Sequence, residues 1–276
     1  MSLKLYVAGH QYQMKQWKFP TGEVGIRLAN GEDGCKDSLY NVQGNECSIR
    51  LNWEGNDDLL ALGQVVDALR KARASKISLD IPYFPYSRQD RRCHVGEGHA
   101  LKVLANYINS LNFDTVYTAD AHSDVLDTLV DRLSNENIHS CSFNLPHHEF
   151  IVAPDAGASK KLVDHRWVKE YKSSKLLVGE KMRDGEGKIV QLYINGARDV
   201  AGKSVCVMDD LCDKGTTFLK VAEVIKQFQP KELNLYITHG FFTGGFHDLM
   251  KEYTNIYTHN LKNTDVGEYA SRVHVI

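Results

Sequence analysis

Apolar and polar positions alternate between two periods along this chain. From Asn56 to Ala74 the apolar residues Leu59, Leu60, Leu62, Val65, Val66 and Leu69 recur at helical spacing. Gly98–Leu111 repeats the pattern with Ala100, Leu101, Leu104, Ala105 and Ile108. Short apolar runs between and around them read as strands: Lys4–Ala8, Ile77–Ile81 and Thr115–Thr118. The second half follows the same grammar. Ile151–Ala153, Leu176–Val178, Ser204–Met208 and Leu233–Thr238 are expected strands, and Ala158–Tyr171 and Phe218–Phe228 expected helices. Strands separated by helices predict an α/β fold with a mainly parallel sheet. The polar stretch Asn135–His148, with Pro146, is the expected linker between two halves.

Such sheets bind ligands beyond the carboxyl ends of their strands. The conspicuous polar segments fall at those expected ends: Tyr83–Arg92, Asp120–His122, Asp155, Lys181–Arg183, Asp209–Thr217 and Thr238–Gly240. The richest is VCVMDDLCDKGTTFLK, Val205–Lys220. It joins a strand, two adjacent carboxylates, a Gly/Thr turn and a helix start. A helix N-terminus offers unpaired N–H groups and the positive end of its dipole. Carboxylates beside it can hold sugar hydroxyls or a cation, so the segment points to a phosphorylated sugar or nucleotide. Its plainer reading is an acidic strand end followed by an N-cap.

The other segments each have two readings. Arg88, Arg91 and Arg92 in YFPYSRQDRR suit bidentate phosphate contacts or an ordinary basic loop. His122 is a possible metal ligand or a structural histidine. Asp155 in PDAG is a hard oxygen ligand of the kind Mg²⁺ takes, or an N-cap. Lys181 and Arg183 alternate, so in an extended segment they point the same way and could neutralise a transferring phosphoryl group. Phe19, Thr21 and Glu23 in FPTGE could hold a purine or simply open a hairpin.

Composition narrows the class. The chain has 276 residues, 42% hydrophobic and 25% charged, with a net charge of −2. That is a globular composition without the basic excess of a general nucleic-acid binder. No apolar run has the length of a membrane span. MSLKLYVAG is too short and broken for a signal peptide. The six cysteines, Cys35, Cys47, Cys93, Cys141, Cys206 and Cys212, form no C-x-x-C pair and suit a reducing cytoplasm.

Taken in order, FPTGE, YFPYSRQDRR, LKVLANYI, DAH, VAPDAGASK, KMR, MDDLCDKGTT and THGFFTGG resemble the ribose-phosphate pyrophosphokinase family, in register over nearly the whole chain. The resemblance implies an α/β fold of two similar phosphoribosyltransferase-type domains, here 1–140 and 141–276. It implies transfer of pyrophosphate from ATP to the C1 hydroxyl of ribose 5-phosphate, with AMP leaving and magnesium required. Lys181 and Arg183 become the catalytic cations and His122 and Asp155 the magnesium-site residues. Asp209 and Asp210 become ribose-hydroxyl ligands, and Asp213, Lys214, Gly215, Thr216 and Thr217 the sugar-phosphate loop. Arg88, Gln89 and Asp90 fall to ATP. Phe19, Thr21 and Glu23 hold its adenine, contributed in this family by a neighbouring subunit, so a homo-oligomer, at least a dimer, is expected.

The chain departs from the family at several points. The sugar-phosphate loop normally reads Asp-Thr-Gly-Gly-Thr or close to it; here Lys214 and Thr216 change two positions. Thr21 stands where Asp or Asn is usual. The segment between Gly9 and Phe19, where the family places a helix, is short, and the C-terminal helical extension is missing. Lys214 raises the alternative of a larger acceptor such as ADP-ribose. A phosphoribosyltransferase and a non-catalytic regulatory subunit are the rivals of other kinds.

Overall fold

Parallel strands with helical crossovers dominate the computed structural model, which describes residues 2–28, 41–137, 145–184 and 189–276, and of Arg183 and Ile189 the backbone alone. The chain divides into two compact units, Met1–Glu136 and Asn137–Ile276. The 140/141 boundary expected from the sequence lies outside the described residues.

The first unit contains β1 (Leu3–Val7), β2 (His10–Tyr12), β3 (Met14–Lys18), β4 (Val24–Leu28) and β5 (Glu46–Leu51). There follow α1 (Asp57–Lys71), β6 (Lys76–Asp80), α2 (Ala100–Ser110), β7 (Thr115–Ala119), α3 (Val125–Leu129) and β8 (Leu133–Glu136). A six-stranded sheet runs β2-β1-β5-β6-β7-β8, parallel from β5 to β8. Where the family places a helix, β2 and β3 are extended. β3 and β4 form a separate hairpin, seated on α1 by Gln64, which donates to Val24 O at 2.9 Å and accepts from Ile26 N–H at 3.3 Å. Leu62, Val65, Val66 and Leu69 of α1 are buried as their spacing predicts, whereas Leu60 is exposed.

The second unit contains β9 (Phe150–Ala153), α4 (Ala156–Leu162), α5 (Arg166–Lys169), β10 (Lys175–Arg183), β11 (Ile189–Ile194) and β12 (Ser204–Cys212). It continues with α6 (Thr216–Lys226), β13 (Glu232–Gly240), α7 (His247–Glu252), β14 (Ile256–Leu261) and β15 (Val273–Val275). Its sheet order is β11-β10-β9-β12-β13-β14-β15, parallel except for the edge strand β11. Phe218, Val221, Ala222 and Ile225 of α6 pack into this core, a larger apolar side chain contributing about 1.5–3 kcal/mol.

Four expectations need correcting. The helix expected over Ala158–Tyr171 is two short helices. His165 interrupts it, capping α5 by accepting from Trp167 N–H through Nδ1 at 3.3 Å. The strands expected to stop at Val178, Met208 and Thr238 run on to Arg183, Cys212 and Gly240. Lys181, Asp209 and Asp210 therefore lie inside strands, and His239 is a buried strand residue.

Candidate active site

The strand order of the second unit reverses beside β9. The chain leaves β9 for β10 on one side and later returns to β12 on the other. That reversal opens a crevice at the carboxyl ends of β9 and β12, where open α/β sheets place ligands. Asp155 follows β9, and Asp209 and Asp210 lie near the end of β12.

Two ion pairs stitch this crevice together. Lys181 Nζ donates to Asp155 Oδ2 at 2.8 Å, and the lysine side chain is only 7% exposed. Gly179 makes the pair possible: a Cβ there would lie 2.5 Å from the carbonyl oxygen of Pro154, so only glycine lets β10 approach the turn carrying Asp155. Asp155 also caps α4, accepting from Ala158 N–H at 3.0 Å. Burial works to raise its carboxyl, but Lys181 and the Ala158 N–H overcome that and hold it below the usual carboxylate range. In the second pair Lys161 Nζ donates to Asp210 Oδ2 at 2.8 Å, both side chains being largely buried. Asp209 is pushed well above the usual range, first by burial and then by the charges of Asp210 and Asp155. The two adjacent carboxylates thus sit in different environments.

After β12 the chain turns through Asp213–Gly215 into α6, with Gly215 at the N-cap. Among the described residues the backbone N–H groups of Lys214, Gly215, Thr216 and Thr217 have no protein partner. Unpaired N–H groups at a helix start suit an anion. The loop after β13 clasps this turn from behind. Thr243 donates to Asp213 Oδ1 at 2.5 Å through Oγ1 and to Asp213 O at 3.0 Å through its N–H. Gly244 lies so close that a Cβ would fall 2.7 Å from the carbonyl oxygen of Lys214. Lys214 and Thr216 are exposed at the rim. The β10–β11 register shifts between Met182 and Arg183, where β11 carries one extra residue, Val190.

In the first unit the expected nucleotide residues are distributed. Phe19, Thr21 and Glu23 occupy the exposed tip of the β3–β4 hairpin, Phe19 being 49% exposed. Phe19 N–H donates to Glu23 O at 2.8 Å, Thr21 Oγ1 donates to Glu23 Oε2 at 2.6 Å, and Trp17 meets Phe19 edge-on. Tyr83 and Phe84 are core residues, while Arg88 and Gln89 emerge on the exposed loop behind them. Asp90 accepts from Arg91 Nε at 2.8 Å and from Ser123 Oγ at 2.6 Å. The bond from Arg91, chiefly, lowers the Asp90 carboxyl to about 2, against the opposing effect of burial. Ser123 thereby ties the Arg88–Arg92 loop to the strand end bearing the exposed His122. Gln89 also edges a cavity of about 690 Å³ that includes Tyr86, His99, Val103 and Tyr107. Its walls contain no lysine or arginine, so it is not built for a triphosphate.

Lys161, Thr243 and Ser123 are contacts that sequence reasoning missed. Thr243 lies within the THGFFTGG segment, Lys161 directly follows VAPDAGASK, and Ser123 directly follows DAH. Proximity to a motif was the only signal available for them. Among the described residues no group of three or more His, Cys, Asp or Glu side chains is assembled as a metal cage. An ion held by one or two carboxylates and substrate oxygens, as Mg²⁺ commonly is, needs no such cage. The hard oxygens of Asp155 fit that chemistry.

A family model of the N-terminal domain of ribose phosphate pyrophosphokinase matches residues 6–111, and a phosphoribosyl transferase domain model matches residues 152–270. Ribose-phosphate pyrophosphokinase of Cereibacter sphaeroides is 33% identical over 234 residues, covering 80% of this chain and 68% of the relative. That of Chromobacterium violaceum is 30% identical over 244 residues, covering 85% and 70%. The crystal structure of phosphoribosylpyrophosphate synthetase from Mycobacterium smegmatis shares the fold, with a TM-score of 0.76 at 19% identity over 96% of this chain and 86% of that one. The chain belongs to the ribose-phosphate pyrophosphokinase family.

Proposed function

We propose that the protein transfers the β,γ-pyrophosphoryl group of ATP to the C1 hydroxyl of ribose 5-phosphate, giving phosphoribosyl pyrophosphate and AMP. The observation that carries this reading is the pairing, in one crevice, of adjacent Asp209 and Asp210 with the N–H turn of Lys214–Thr217. A sugar's ring hydroxyls suit the carboxylates, and its 5′ phosphate suits the turn. Lys214 adds a cation at the rim for that phosphate. The relatives' names give no support to a larger acceptor, to a phosphoribosyltransferase or to a regulatory subunit.

In the reaction the C1 oxygen forms a bond to the β-phosphorus, the bond from that phosphorus to the α–β bridging oxygen breaks, and the hydroxyl proton departs. Charge builds on the bridging oxygen of AMP. Lys181, held in place by Asp155, is the cation for that charge, with Arg183 its companion; one such contact is worth roughly 10³-fold in rate. Asp155 and, separately, His122 are the candidate magnesium ligands; the ion would neutralise phosphate charge when bound. Arg88 and Gln89 take the ATP phosphates and base, and Asp90 braces their loop through Ser123. The exposed hairpin tip, Phe19, Thr21 and Glu23, suits adenine in a neighbouring subunit's site and so a homo-oligomer. The scattered cysteines suit an enzyme that works in the reducing cytoplasm. Among the described residues no helix is long and apolar enough to cross a membrane.

The test is AMP release from ATP and Mg²⁺ with and without ribose 5-phosphate. Sugar-dependent AMP formation is expected. ADP as the product, or no nucleotide turnover with any sugar phosphate, would overturn the reading.

A further inference from the structure

Lys161 lies in the last turn of α4, the helix that Asp155 caps. Its side chain is 17% exposed and that of its partner Asp210 is 7% exposed. A surface ion pair of this length would mean little, but a pair removed from water is different. Losing one partner leaves a charge without compensation, and the survivor turns toward whatever solvent it can find. The helix α4 and its cap therefore serve both sides of the crevice. Asp155 at the start takes Lys181, and Lys161 near the end takes Asp210.

Asp210 is one of two adjacent carboxylates, and they are held differently. Asp210 is gripped from α4, while Asp209 is half-buried, accepts from Asp210 N–H at 2.9 Å and has no ion pair among the described residues. A carboxylate reads a hydroxyl selectively only if it cannot swing to water when that hydroxyl is missing. A fixed acceptor left unpaired rejects the deoxy analogue; a loose one does not.

We propose that Lys161 is a positioning residue that sets sugar specificity, clamping Asp210 so that the site prefers ribose 5-phosphate over 2-deoxyribose 5-phosphate. This rests on the pyrophosphokinase reading. Lys161 touches no reacting atom; it acts through the carboxylate it holds.

The experiment compares AMP release with the two sugars, as kcat and KM, in the wild type, K161M and K161R, each checked for cooperative melting. In K161M the KM for ribose 5-phosphate should rise about tenfold and the ribose-over-deoxyribose preference fall about tenfold, as expected when a hydrogen-bonding site loses its rigidity. The KM for ATP should stay within about twofold, since uniform binding of the other substrate is untouched. K161R should recover most of the preference. If K161M does not melt cooperatively, K161Q is measured in its place under the same criteria. An unchanged preference in a folded variant overturns the proposal, including the case where both sugars lose activity equally. Failure of K161Q and K161R alike to fold also overturns it, because the lysine is then needed only for folding. A wild type that releases no AMP with either sugar points instead to failure of the pyrophosphokinase reading itself.

Discussion

The second unit locks its charged site residues to one another, whereas the first unit presents its site residues on separate exposed pieces. In the second, Lys181–Asp155 and Lys161–Asp210 are part-buried ion pairs, and Thr243 braces Asp213. In the first, Phe19, Thr21 and Glu23 ride a hairpin tip, and Arg88 and Gln89 stand on an exposed loop anchored by Asp90 and Ser123. An acceptor site built before its ligand arrives fits tight orientation of one reacting hydroxyl. On the proposed reading, nucleotide contacts kept as exposed pieces are completed by what docks on them.

Four substitutions can break or sharpen this contrast. The largest effect is expected at Lys181. Lys181→Ala should lower AMP release at least about a hundredfold, the scale of a lost transition-state contact, while circular dichroism stays unchanged. Near wild-type turnover would remove Lys181 from the chemistry. Next is Gly244→Ala, whose new Cβ must push the Lys214 backbone away. The KM for ribose 5-phosphate should rise roughly tenfold or more, because small displacements of a positioning loop are costly. An unchanged sugar KM would show that the clasp around Asp213 is dispensable.

Phe19→Ala probes the other half. An exposed aromatic contributes little to the fold of one chain but much to a stacked base. The KM for ATP should rise about tenfold with the melting temperature unchanged. A drop in melting temperature with normal ATP binding would make the hairpin tip structural. The smallest effect concerns stability. A carboxyl whose folded value is raised, as at Asp209, lends stability that is complete below its unfolded value and is lost as pH rises through the folded value. Asp209→Asn should therefore match the wild type near pH 3 and become more stable by about 1 kcal/mol toward neutrality, while sugar binding is lost. Denaturant melts across that range check the sign; a neutral-pH loss of stability would contradict it.

Much of this arrangement is visible in the sequence, and the limits have physical causes. The helical periods at Leu62–Leu69 and Leu101–Ile108 belong to helices packed on one face, so they read correctly. The strand β12 was expected to stop at Met208 because two carboxylates follow. It continues because Cys212 returns to the core and because Lys161 compensates Asp210. That compensation is not legible: Lys160-Lys161 looks like any basic helix end, and the partner is 49 residues away. The strands β2 and β3 are rich in Gln and Lys and carry no apolar alternation strong enough to reveal them, although FPTGE admits a hairpin. Lys181-Met182-Arg183 suggests two cations on one side; the extra residue that β11 carries opposite Met182 and Arg183, Val190, is set by strand pairing, which no local pattern specifies.

Phosphorus NMR of a mixture of the enzyme, ATP, Mg²⁺ and ribose 5-phosphate tests the central claim most directly. Pyrophosphoryl transfer predicts equal growth of AMP and of a diphosphate coupled to the sugar's C1 proton. Growth of ADP with a single new phosphate on the sugar, or of AMP with released inorganic pyrophosphate and unchanged sugar, would contradict it.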